Sequence, residues 1–142
     1  MIKIEAIHVN VPAGEYYIGD PSFAFSYKDW DTICKINHPK TRHNIVYEFK
    51  DSHFLNISVG GDGGFLDTTG KEYTVESGSL GLVPIEIVDP EMLDDCKSFG
   101  RIITFSEQTL CKSVETELLM FGEVLFILGG GYIDDYGFWE IY

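Results

Sequence analysis

Two short Gly-Asp turns hold the residues of this chain best suited to chemistry: Asp20 between Gly19 and Pro21, and Asp62 between Gly61 and Gly63. Brought to one end of a sheet, the two carboxylates could hold a cation or a ligand's hydroxyls. The rings of Tyr16, Tyr17 and Trp30 could then stack on a nucleotide-like group. Asp beside Gly or Pro has a plainer role, because its carboxylate bonds the nearby backbone and closes an Asx-turn. That structural role is the stronger expectation. The stretch from Asp62 to Asp67 has Gly, Gly, Phe and Leu between its carboxylates, so it lacks the alternating oxygen ligands of a calcium loop.

Other signatures are weaker. The glycines of 60–64 could let backbone N–H groups approach a phosphate, but no Lys-Ser/Thr pair and no helix follow them. Gly129-Gly-Gly131 reads as a wide turn or bulge. The histidines His8, His38, His43 and His53 lack the helical spacing of a zinc site and read as solvated loop and strand residues. No serine sits in G-x-S-x-G or S-x-x-K. Cys34, Cys96 and Cys111 are odd in number without C-x-x-C spacing, as expected of reduced thiols in a cytosolic protein. Cys96 follows Asp94 and Asp95, which raises a thiol's pKa and disfavours a nucleophile. No catalytic residue, metal or cofactor is therefore assigned. A metal-assisted hydrolase built on Asp20, Asp62 and a histidine is the minor alternative.

Charge is more telling than any motif. The chain of 142 residues has a formal net charge of −13. Residues 1–55 hold six Lys/Arg against seven Asp/Glu, whereas residues 56–142 hold four against sixteen. Such a field repels nucleic acid and anionic membranes and favours a basic protein surface or a cation. The densest run is Glu86, Asp89, Glu91, Asp94 and Asp95. With Asp134, Asp135 and Glu140 it could form one face imitating a phosphate backbone and compete for basic nucleic-acid-binding proteins. The simpler expectation is a solvated surface that keeps an aromatic-rich chain in solution. Arg101, isolated in the acidic half, reads as a structural ion-pair partner.

These residues must be positioned mostly by strands. A 44% hydrophobic and 23% charged composition is that of a globular domain, and 14% aromatics with fifteen Gly favours strands and tight turns. Alternation of Ile2, Ile4 and Ala6 with Lys3 and Glu5 predicts a first strand that Pro12-Ala-Gly14 ends, then strands near 15–18, 43–49, 53–59, 65–67, 72–76, 80–88, 100–105, 114–121 and 123–128, with a closing strand in 131–142. Pro84 marks its strand as an edge or a bulge. A helix is expected over 27–36, where Trp30, Ile33 and Cys34 share a face and Ser26 caps the start. A shorter helix is expected over 90–96, with Asp89 at its N-cap and Pro90 at its first position. The fold expected is mainly β: one domain over 1–142, an antiparallel sandwich or barrel with one or two short helices.

The run Gly14-Glu-Tyr-Tyr-Ile-Gly-Asp-Pro21, followed by an aromatic stretch and Trp30, resembles the opening of a group of small uncharacterised phage and bacterial proteins. The resemblance resumes at Gly61-Asp-Gly-Gly-Phe65, at Asp67-Thr-Thr-Gly70 and at 75–84. It implies a phage-like or bacterial origin and a compact β fold, and it carries no activity. Members often have Cys after the Asp-Pro, where this chain has Ser22.

Taken together, the sequence points to a non-enzymatic acidic interaction protein that engages a basic surface of a host protein. A small-ligand binder using the Tyr16, Tyr17, Asp20, Trp30 and Asp62 set is the alternative. The N-terminal residues alternate instead of forming an apolar run, and no stretch is long enough to span a bilayer, so a cytoplasmic setting is expected.

Overall fold

Short segments of alternating apolar and polar residues can hide their apolar sides only by pairing into sheets and stacking them. In the computed structural model they do so in two main antiparallel sheets. It describes residues 5–37, 46–59, 61–114, 118–128, 131–133 and 139–141, the last two as backbone. The first sheet has five strands, β2 (Gly14–Gly19), β3 (Val46–Phe49), β4 (Ser52–Ser58), β7 (Ser79–Pro84) and β8 (Arg101–Phe105), in the order β3-β4-β7-β2-β8. The second has four, β1 (Glu5–Val11), β9 (Thr109–Val114), β10 (Leu118–Phe121) and β11 (Val124–Ile127), in the order β1-β9-β10-β11. Two hairpins complete the strands: β5 (Gly63–Leu66) with β6 (Glu72–Val75), and β12 (Gly131–Ile133) with β13 (Trp139–Ile141).

The expected sandwich is present and a closed barrel is not. One core lies between the sheets, where Tyr16, Ile18, Leu55, Leu80 and Leu82 meet Cys111, Leu119, Phe121 and Phe126. A second core covers the opposite face of the five-stranded sheet. There Tyr17, Tyr47, Phe54 and Val83 pack against Ile33 of α1 (Tyr27–Asn37) and Cys96 of α2 (Leu93–Phe99). Burial on both faces explains why Leu80, Gly81, Leu82 and Val83 are all buried instead of alternating.

Both predicted caps form: the Ser26 hydroxyl accepts the Asp29 N–H at 3.2 Å, and the Asp89 carboxylate accepts the Glu91 N–H at 3.0 Å. Asp89 caps a 3-10 turn (Pro90–Met92), however, and α2 itself begins three residues later than expected, at Leu93. Two strand expectations also differ from the structure. β7 is the central strand, not an edge: Pro84 is its last residue, and a 3-10 turn (Ile85–Ile87) follows. The strand expected over 114–121 is instead β9 turning back into β10, because register pairs Phe121 with Cys111. The turn expected at 134–137 lies outside the described residues.

Two buried polar side chains fasten the layers. Asp20 is fully buried, and its carboxylate accepts four hydrogen bonds: Ser22 N–H at 2.8 Å, Glu76 N–H at 2.6 Å, Ser77 N–H at 2.7 Å and Ser77 Oγ–H at 2.6 Å. The end of β2 is thereby tied to the turn that feeds β7. The 3-10 turn beginning at Pro21 then lies flat on the sheet; a Cβ at Gly81 would strike the Pro21 ring and the Leu55 carbonyl. Asn37, also fully buried, donates to the Ile33 carbonyl at 2.8 Å and the Glu48 carbonyl at 3.2 Å and accepts the Glu48 N–H at 3.0 Å. It satisfies the free edge of β3 as a neighbouring strand would.

Removing the Asp20 carboxylate would deprive the Ser22, Glu76 and Ser77 N–H groups and the Ser77 hydroxyl of their shared acceptor. Asp20→Ala is expected to cost roughly 3 kcal/mol or more in urea denaturation. Asp62→Ala, at an exposed site, should stay within about 0.5 kcal/mol of the parent.

Candidate functional site

The residues expected to form a ligand site are distributed through both cores. Tyr16 and Tyr17 are neighbours in β2 and so point to opposite faces: Tyr16 between the sheets, Tyr17 beneath the helices. The fully buried Tyr17 donates its hydroxyl to the Asp20 carbonyl at 2.9 Å. Trp30 packs from α1 onto Phe25, ring centroids 6.3 Å apart. The two Gly-Asp turns do approach each other. Asp20 holds Ser77, and a Cβ added at Gly78 would lie 3.9 Å from Asp62 Oδ1. The backbone of 76–78 runs from one to the other. Asp20 is an Asx-turn and cross-strand staple, and Asp62 stands exposed.

The acidic run lies along one continuous segment. Glu86 is exposed on the 85–87 turn, Asp89 caps the next turn, and Glu91, Asp94 and Asp95 are exposed in and before α2. Asp134 and Asp135 lie outside the described residues.

A concave site forms elsewhere, where the four-stranded sheet is narrower than the five-stranded one. Strands β10 and β11 meet the β5–β6 hairpin on one side: Thr68 N–H donates to the Leu125 carbonyl at 2.9 Å, and the Tyr73 and Phe126 rings meet at 4.8 Å. On the other side the sheet stops at β1. A groove of about 660 Å³ opens there between Val9–Val11 of β1 and a floor that includes Tyr16, Val46, Leu55 and Leu82. Glu48 and His53 lie opposite one another on the inner face, paired at 3.5 Å, yet their side chains are 58% and 62% exposed. A complete sandwich would bury them.

Glu15 and Glu86 line this groove, and among the described residues no Lys or Arg does. The Tyr16 hydroxyl donates to the Pro12 carbonyl at 2.7 Å and pins the β1–β2 turn at its end. Burial, then Cys111 and Glu86, push this phenol above its ordinary range, so it remains a neutral donor. Of the residues singled out from sequence, Tyr16 and Glu86 belong to the groove. Val9, Glu15, Val46 and His53 were not signalled, because each reads alone as an ordinary strand residue.

Chemistry by metal or thiol finds little to build on. Among the described residues no three of His, Cys, Asp and Glu come together. Burial, reinforced by Asp95, pushes the Cys96 thiol up to about 12, and burial pushes Cys111 up to about 11. Both thiols are expected to react with an aromatic disulfide reagent at pH 8 only as fast as the fold opens, which urea-dependent labelling rates would measure.

Arg101 is absorbed into a buried polar chain. Tyr73 donates its hydroxyl to Asp67 Oδ2 at 2.9 Å and lies within hydrogen-bond reach of Arg101. Asp67 Oδ1 also accepts Thr69 N–H at 2.9 Å, Thr69 Oγ–H at 2.6 Å and Lys71 N–H at 3.1 Å. Burial opposes ionisation of Asp67, but hydrogen bonds from Thr69, Tyr73 and Lys71 together outweigh it and hold the carboxyl below the usual range. The unfolded chain therefore binds this proton more readily. The resulting stability is full above about pH 4 and disappears as pH falls through the lowered folded value. Asp67→Asn should be less stable than the parent in urea at pH 7, and the gap should narrow by about pH 3.

Comparison with protein-family models, curated proteins and solved structures finds no match for this chain.

Proposed function

We propose that this chain is a non-enzymatic binding protein whose groove beside β1 receives a basic partner. The carrying observation is the lining: apolar walls of Val9, Val11, Leu55 and Leu82, with Glu15 and Glu86 as acidic groups and, among the described residues, no Lys or Arg. Glu86 also begins, in sequence, the acidic run that continues through Asp95. The net charge of −13 would steer such a partner toward the molecule. The phage-like resemblance makes a basic host protein, including one that handles nucleic acid, the natural source. The volume of about 660 Å³ also suits a small ligand with an apolar body and a cationic end, which is the second reading.

Calorimetric titration with a seven-residue Lys/Val/Thr peptide and its Glu-for-Lys counterpart tests the first reading. The cationic peptide should bind and the anionic one should not. Affinity should fall about tenfold or more between ~0.05 M and ~0.5 M salt, and again in the double variant Glu15→Gln/Glu86→Gln. Equal binding of both peptides, or indifference to the double variant, would overturn it. Saturable binding of an alkylguanidinium ion as tight as the peptide's would instead favour the small ligand.

A further inference from the structure

The groove has a direction as well as a charge. Its one wall is the outer edge of β1, which pairs with β9 on one side and, among the described residues, with no strand on the other. Consecutive residues Val9, Asn10 and Val11 all line it, so the backbone itself faces the cavity. Comparable edges are dealt with in this fold. Asn37 occupies the outward N–H and carbonyl of Glu48 in β3, and the β5–β6 hairpin bridges to β11 through Asp67 and Phe126. The floor opposite β1 is the inner face of β3 and β4, left partly open at Val46, Glu48 and His53. Among the described residues four strands lie over five, a difference of one strand, and neighbouring strands in a sheet stand about 4.8 Å apart.

We infer that the partner's binding element is an extended, cationic segment that adds to β1 as a fifth strand of the smaller sheet. This rests on the groove being the binding surface. Main-chain hydrogen bonds to the free β1 edge supply affinity that is blind to side chains. Alternate side chains of the added strand point down, and aliphatic ones fit onto Val46, Leu55 and Leu82. Lys or Arg at the end of the added strand nearest the β1–β2 turn meets Glu15 and Glu86, which the β2–β7 register sets side by side, and this fixes charge as the selective feature. The added strand would cover Glu48 and His53 and complete the sandwich as five on five.

The test uses the full chain and a probe of seven residues, matching β1 in length: Lys-Val-Thr-Val-Thr-Val-Lys, blocked at both ends. Two further copies carry backbone N-methyl groups, one on odd and one on even residues, so side chains and charge are unchanged. The unmodified peptide should bind, and one methylation phase should lose about tenfold or more while the other keeps its affinity, because only alternate N–H groups face β1. Binding should also slow exchange of alternate β1 amides between His8 and Val11. If all three peptides bind alike and no β1 amide gains protection, strand addition is wrong while the groove reading stands. If none binds and Glu15→Gln/Glu86→Gln changes nothing, both fall. A concentration-dependent dimer with those amides already protected would make a second copy the occupant and overturn the proposal.

Discussion

A fully buried carboxylate organises this molecule. Asp20 is stabilised by three backbone N–H groups and one hydroxyl, at distances of 2.6 to 2.8 Å. An isolated buried charge is costly, and donors placed this closely offset that cost only when every partner is in position. The interaction spans 57 residues of sequence between Asp20 and Ser77. It therefore forms only once β2 and the turn before β7 are in register. From that point the rest follows: β2 pairs with β7 and β8, the turn after Asp20 seats Pro21 on Gly81, and α2 packs beside it.

The five-stranded sheet so assembled is buried on both faces, once by helices and once by strands. That arrangement leaves a mismatch, because the covering sheet has one strand fewer. The protein closes most of the consequences internally. The hairpin stapled by Asp67 covers the β11 side, and Asn37 satisfies the edge of β3. What is left beside β1 is an apolar hollow with acidic residues in its lining, and it is left by subtraction. Function and fold meet there, since the same missing strand that exposes Val46 and His53 creates the space for a partner.

Local features were legible in the sequence wherever a nearby residue decides the outcome. Ser26 caps α1, Asp89 caps the 3-10 turn that precedes α2, Lys50 and Asp51 form the turn between β3 and β4 with left-handed backbone, and the Asx role of Asp20 follows from its Gly and Pro neighbours. Errors arose where pairing decided. Pro84 suggested an edge, because its own chemistry removes a donor, but at the last position of β7 that loss falls where the chain leaves the sheet. The set Tyr16, Tyr17, Asp20, Trp30 and Asp62 is spread over the fold, because adjacent strand residues face opposite layers, so Tyr16 enters one core and Tyr17 the other.

The amino-acid pattern alone determined the β-rich class, the N-caps, the acidic excess and the poverty of catalytic signatures, all of which depend on composition or on contacts a few residues apart. Tertiary structure decided which strand lies at an edge, which carboxylates are buried and where a hollow remains. Those outcomes depend on the relative widths of two sheets and on pairings across many tens of residues. No local propensity encodes a sheet's width, so the groove beside β1 exists only in the assembled fold.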